Sequence, residues 1–355
     1  MDESFTGAAL APPRAFGVPL GSGRLRVEPE DFQVDEDLGF EPAGAGSHVL
    51  LKVRKRNANT DWVARELARA AGCKPFDVGY AGLKDRRAVA TQWFTVPLPR
   101  AKPLAELASL RGQDFEVLEA HAHAKKLPRG ALAGNRFTIR VRDLQADDAK
   151  LTERFAAIAR AGVPNYFGPQ RFGREGANLR KITRDPHSLH PRDRTYVLSA
   201  ARSLIFNAAL AERVADGTWC QLEAGDMANL DARGSVFPVD AMDDTLRERA
   251  ERLDLHPTGP MWGRGELLSR GRVQSLEQGV GARFEDPAEL VIAAGMRQER
   301  RSLRLAVRNL EWHREGADAV IRFWLTRGSF ATTVLSEVLN TDGEMAMAEE
   351  GAASE

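Results

Sequence analysis

The stretch Gly79-Tyr80-Ala81-Gly82-Leu83-Lys84-Asp85-Arg86-Arg87-Ala88 sets one carboxylate among three cations. Nearby positive charge favours the ionised form of a carboxylate, so the spacing predicts an anionic Asp85. Such a group can act as a nucleophile in a loop that also attracts phosphate. Gly79 and Gly82 permit a sharp turn or a close approach to a ligand. Solvated ion pairs on a surface loop produce the same pattern, and spacing alone does not separate the two readings.

Three basic runs extend the search. His48-Val49-Leu50-Leu51-Lys52-Val53-Arg54-Lys55-Arg56 alternates as a half-buried strand whose outer face and end carry Lys52, Arg54, Lys55 and Arg56. Between His121 and Arg142 stand Lys125, Lys126, Arg129, Arg136, Arg140 and Arg142, with no acidic residue. From 171 to 194, seven Lys/Arg mix with aromatics that begin at Tyr166-Phe167. Single-sign stretches suit phosphate contact, and arginine with aromatics suits stacking on RNA. A solvated edge and an arginine-laced junction remain the ordinary alternatives. His121 and His123 lack a third ligand at a recognised spacing, so no metal site is expected. Gly44-Ala45-Gly46 lacks the context of a dinucleotide-binding turn.

The chain has 355 residues, 43% hydrophobic and 28% charged, with 50 Lys+Arg against 50 Asp+Glu. That composition excludes a wholly disordered chain, and the zero net charge leaves any nucleic-acid partner to local patches. Cys73 and Cys220 lie far apart without a C-x-x-C pattern, which fits a reducing, cytoplasmic setting. The N-terminus lacks the pattern of a secretory signal, and no apolar run approaches membrane-helix length, so no membrane partner is expected.

The elements that must present these groups alternate in type. Strands are expected at 24–27, 32–36, 48–56, 91–96, 114–118 and 137–142. Helices are expected at 62–71 and 147–161. Helices and turns then dominate, with a long helix at 198–215, before strands return at 303–307 and 320–325. Phe32, Val34 and Glu36 share one strand face. The first 21 residues read as frayed and 345–355 as disordered. The pattern implies one α+β sheet domain built from both ends of the chain, with a second domain inserted at about 161–304.

Several stretches, in order, resemble the TruD family of tRNA pseudouridine synthases. They are Pro29-Glu30-Asp31-Phe32, Gly82-Leu83-Lys84-Asp85, Gln92-Trp93, Gly130-Ala131-Leu132 through Asn135, and Val163-Pro164-Asn165-Tyr166-Phe167-Gly168 with Gln170-Arg171-Phe172-Gly173. Leu198 to Ser203 with Phe206-Asn207, and Arg322 to Leu325 with Gly328 to Thr332, complete the set. Little resembles the family between 216 and 300. The resemblance implies a pseudouridine-synthase catalytic domain with a mixed, mainly antiparallel sheet, from residues 1–160 and 305–355. It also implies an inserted α+β TRUD domain at 161–304. The implied activity is isomerisation of uridine-13 of tRNA to pseudouridine with the target base flipped out, by a monomer without cofactor or metal. The catalytic residue then falls on Asp85, the base-stacking ring on Phe32, and substrate contacts on Asn135 and Phe330. A charge partner for the Asp falls near Arg26, where relatives often carry Lys. A non-catalytic RNA-binding or RNA-chaperone protein is the rival from another class. An Asp-dependent hydrolase would need a second carboxylate or a metal beside Asp85.

Overall fold

The structure is a computed structural model that describes residues 10–98 and 104–340. The expected disorder of 345–355, and of the first nine residues, falls outside the described residues. Contacts divide the described chain into two compact units. One comprises 21–147, 308–331 and 340; the other comprises 10–20, 148–307 and 332–339.

The first unit is built on a nine-stranded sheet among the described residues. Its main path runs Arg308–Glu315, Asp318–Thr326, Gly134–Ala146, Phe32–Asp37, Val89–Pro97, His48–Arg56, Phe115–His123. Gly21–Arg24 adds to the long strand Gly134–Ala146, and Gly79–Tyr80 adds to Val89–Pro97. Only the pair of Phe32–Asp37 with Val89–Pro97 is parallel, so the sheet is mixed and mainly antiparallel. The parallel pair sits at its centre, and the Asp85 loop enters the strand Val89–Pro97 beside it.

Alternation decides what this sheet buries. Val49, Leu51 and Val53 are fully buried against Val63 and Leu67 of the helix Thr60–Ala71. Leu50 packs on the other face with Trp93, Leu127 and Leu132, so this strand is covered on both sides over its middle rather than half-buried. The same parity puts Lys55 on the face of Val49, Leu51 and Val53, and it is fully buried. It was expected outside.

The second unit surrounds the helix Pro191–Ala215, whose buried side chains include Leu204, Phe206 and Leu210. The helix begins earlier than the apolar pattern suggests because Pro191 occupies its first turn and His190 caps it. An antiparallel sheet of Val236–Pro238, Met227–Leu230, Leu255–Met261 and Glu299–Ser302 packs nearby. The expected strand at 303–307 shrinks to Arg304–Leu305, paired with Val163–Pro164. From Leu10 onward the N-terminal segment is ordered against this unit, contrary to the frayed reading. Arg14 donates to Ser336 O at 2.8 Å, Leu20 N donates to Val338 O at 2.8 Å, and Phe16 meets Trp219 edge to face.

Candidate active site

Five neighbours fix the Asp85 loop, each from a different place in the first unit. Gln92 Nε2, from the strand Val89–Pro97, donates to Gly82 O. Thr60 Oγ1, at the start of the helix Thr60–Ala71, accepts from Lys84 N at 3.1 Å and donates to Gln92 Oε1 at 3.0 Å. Lys55 Nζ donates to Asp85 O at 2.9 Å, Ala58 O at 2.7 Å and, more weakly, Lys84 O at 3.4 Å. Glu36 accepts from Lys84 Nζ at 2.5 Å. Arg26 Nη2 donates to Asp85 Oδ2 at 2.8 Å. Backbone groups that a loop would leave to water are thereby tied to rigid elements.

The cations are not distributed as the spacing suggested. Lys84 turns away from Asp85 to the fully buried Glu36, whose other oxygen accepts from Trp93 N at 2.9 Å. Arg86 and Arg87 are exposed. The guanidinium on the Asp85 carboxylate comes from Arg26, 59 positions earlier. Arg26 sits in a left-handed backbone conformation (φ 54°) in the turn between Gly21–Arg24 and Phe32–Asp37. Asp31 holds that turn: it accepts from Glu28 N and pairs with Arg142 at 2.8 Å while almost wholly buried. Of the two loop glycines, Gly79 is needed for close approach, since a Cβ there would lie 2.4 Å from Thr95 Oγ1. Gly82 has ordinary φ and open space around it.

Asp85, Arg26 and Phe32 are brought into one cluster. The Arg26 guanidinium pairs with Asp85 and lies over the Phe32 ring, 4.1 Å from its centroid. Phe32 is only 3% exposed and meets Phe137 edge to face, so in this state Arg26 covers its ring. The Asp85 side chain is 43% exposed, and its Oδ1 has no protein partner among the described residues. Asn135 faces Glu36 across the strand pair, and its buried Oδ1 accepts no hydrogen bond among the described residues. A cleft of about 520 Å³ opens on Glu36, lined by Trp93, Arg136, Phe40, Lys52 and His121. Phe330, 39% exposed, pairs with no other ring among the described residues.

Lys55 and Glu36 are the residues that the sequence reading missed. Burial pushes the Lys55 ammonium down to about 8, while the Asp85 charge opposes that fall. The strand parity of 49, 51, 53 and 55 was a signal for Lys55. Glu36 was placed on the same face as Phe32, without a role. His121 and His123 lie on the strand Phe115–His123, with His121 Nε2 3.1 Å from Glu119. Among the described residues no cluster of three or more His, Cys, Asp or Glu is arranged to hold a metal.

Such a site presents one open, oriented carboxylate beside an aromatic ring that Arg26 covers. That arrangement suits attack on, or proton removal from, a bound planar group. Against known proteins, the sequence model of tRNA pseudouridine synthase D (TruD) matches residues 17–185 and 186–338. The tRNA pseudouridine synthase D of Nitrosococcus oceani is 46% identical over 91% of this chain and 92% of that protein. The corresponding protein of Methylococcus capsulatus is 46% identical over 93% and 94%. A crystal structure of a TruD protein from Methanosarcina mazei superposes with a TM-score of 0.74 at 20% identity, covering 96% of this chain and 98% of that one. At that identity the likeness concerns the fold.

Proposed function

The chain belongs to the TruD family, and we propose that it isomerises uridine to pseudouridine in tRNA, at uridine-13, with Asp85 as the catalytic residue. The observation that carries the assignment is the setting of Asp85. Its main chain is clamped by Lys55, one carboxylate oxygen is held by Arg26, and the other is open. Glu36, a second carboxylate tied to the loop, is fully buried and engaged by Lys84 and Trp93, so a paired-acid hydrolase is disfavoured.

The reaction breaks N1–C1′, turns the base and joins C5 to C1′. No atom enters or leaves, so no cofactor or metal is called for. An oriented carboxylate starts it, by attack or by removing a sugar proton. The target base must leave its stack, which costs on the order of a few kcal/mol. Phe32 offsets part of that by stacking on the uracil once Arg26 leaves its face. Asn135, whose buried Oδ1 has no partner among the described residues, accepts from the base once binding exposes it. Phe330, exposed on the segment before the helix Ala331–Ser336, supplies a further contact. We assign residues 1–160 and 305–355 to the catalytic domain and 161–304 to the family's inserted domain, a division that differs from the contact units at 10–20, 148–160, 305–307 and 332–339. We take the protein to act as a monomer in the cytoplasm, where its substrate is found; no helix among the described residues is long and apolar enough to cross a membrane.

Asp85→Asn keeps the shape and removes the charge. Turnover of unmodified tRNA, mapped by chemical labelling of pseudouridine, should fall by at least about 10³-fold, with tRNA binding retained. Normal turnover by the variant would remove Asp85 from the mechanism. A wild type that modifies no tRNA uridine would overturn the activity.

A further inference from the structure

We propose that Arg171 and Arg301, in the unit without Asp85, form an anion site that takes a backbone phosphate of the RNA. The inference rests on tRNA being the substrate. Both guanidiniums lie against the ring of Phe167, at 5.1 Å and 4.3 Å from its centroid. Neither meets a carboxylate among the described residues. Arg301 Nη2 donates to Asn165 Oδ1 at 2.7 Å, and Arg171 Nη1 donates to Ser199 Oγ at 3.0 Å. The buried Nε–H of Arg301 has no hydrogen-bond partner among the described residues. Each guanidinium carries five N–H donors, so most of this pair's capacity is unspent.

Several other arginines of the unit meet carboxylates, and the buried Arg304, which meets none among the described residues, spends its donors on His256 and backbone carbonyls. Arg213 is buried on Asp226, and Arg300 on Glu277. Arg184 meets Glu285, Asp286 and Glu289, and Arg272 meets Asp216 and Glu223. Leaving two cations together without a counter-charge costs stability unless a ligand supplies one. Burial lowers the Arg301 guanidinium to about 10, and Arg171 adds to that fall by repulsion. Arg171 is itself lowered by burial.

The platform beneath them is rigid. Asn207, fully buried in the helix Pro191–Ala215, accepts from Phe167 N and donates to Phe167 O, both at 2.9 Å. Asn165 is anchored through its Nδ2 to Ser302 O at 2.8 Å. Pre-set guanidiniums match phosphate oxygens well, and an aromatic face beside them is compatible with RNA. Arg171 keeps part of its surface open to solvent, so a ligand can reach the pair.

The test compares wild type, Arg171→Gln and Arg171→Glu in binding to unmodified tRNA across a salt series, with melting temperatures of the free proteins. Arg171→Gln should weaken binding by about 10-fold and lower the slope of log K against log salt by about 1. Arg171→Glu should weaken it further while raising the melting temperature, because it supplies the carboxylate that Arg301 lacks. A slope unchanged in both variants overturns the proposal, as does a binding loss that tracks a fall in melting temperature. Inorganic phosphate at matched ionic strength separates the possible ligand sources. If it stabilises wild type more than Arg171→Gln while the tRNA slope is unchanged, the ligand is free phosphate and the backbone assignment fails. Pseudouridine formation by wild type is scored separately. If none forms but the slope still falls in the variant, the reading of the activity fails and the anion site stands.

Discussion

Each unit holds cations that form no ion pair among the described residues, and the two units spend them in opposite ways. In the sheet unit, Lys55 is used up internally: its ammonium grips Ala58 O and Asp85 O and touches Lys84 O. In the other unit, Arg171 and Arg301 each make one side-chain hydrogen bond to the protein and otherwise stack on rings. One arrangement converts positive charge into the position of a carboxylate. The other holds positive charge in reserve. A basic residue therefore says little about function until its donors are accounted for.

The largest effect short of removing Asp85 should come from breaking the internal use. Lys55→Met keeps volume and apolar length but strands three carbonyls that Lys55 now serves. Unmet buried acceptors cost on the order of 1–3 kcal/mol each, and a loop displaced by an ångström costs about 10²-fold in rate. The loss should appear in kcat, with KM little changed, because the positioned group is the reacting one. Loss confined to KM would sink the positioning role. Stability should also depend on pH in one direction. Burial holds the Lys55 ammonium down at about 8 in the folded chain, below the usual lysine value of about 10.5. The unfolded chain therefore binds the extra proton between those values. Wild type should gain stability relative to Lys55→Met as pH rises through that window, and show no such difference in slope below it. Lys84, Glu36 and Asp85 face the same group and contribute to its charge balance.

Arg26 stands between the two uses, since it both pairs with Asp85 and covers Phe32. Arg26→Ala uncovers the ring but frees the carboxylate, and should cost turnover about 10- to 100-fold. Arg26→Lys keeps the charge and loses the planar stacking group, so most of the activity should return. Equal loss in both variants would mean that the guanidinium plane itself matters once substrate is bound. A 2-aminopurine reporter beside the target uridine would then show whether base extrusion, rather than the chemical step, is impaired.

Much of the scaffold was legible because period-2 alternation and helix-period spacing are local. The strands expected at 32–36, 48–56 and 137–142 and the helix expected at 62–71 are found at Phe32–Asp37, His48–Arg56, Gly134–Ala146 and Thr60–Ala71. What alternation cannot supply is pairing across the sheet. Asp85 looked surrounded by its sequence neighbours, yet Lys84 goes to Glu36 and the partner comes from Arg26, through a turn with a left-handed residue that no pattern announces. Lys55 departs from expectation because a charge at a strand end suggests solvent, while its parity with Val49, Leu51 and Val53 sets it on the buried face. The histidines at 121 and 123 lie on a strand that runs to His123, five residues past the expected end. Arg301 lies just past the segment where the sequence offered little, and its pairing with Arg171 on the ring of Phe167 is a tertiary contact that no local pattern announces.

The smallest effect should come from the most basic-looking strand. The run 52–56 reads equally as a solvated edge or a phosphate-facing stripe, and the fold pairs its three outward cations one by one. Lys52 pairs with Glu119 at 2.8 Å, Arg54 with Glu116 at 3.4 Å, and Arg56 with Glu30 at 2.5 Å. Arg54 and Arg56 line a cavity of about 590 Å³ together with Glu30, Asp35, Asp114 and Glu116, and none of the candidate catalytic residues lines it. A phosphate arriving there would have to displace carboxylates that already satisfy the cations. Exposed pairs of this kind contribute roughly 0–1 kcal/mol, so the double variant Arg54→Gln with Arg56→Gln should melt within a few degrees of wild type. Its tRNA affinity should stay within about twofold, with the salt slope unchanged. A slope lowered by a full unit would show that these ion pairs open for RNA, and the contrast between spent and reserved charge would have to be redrawn around the sheet.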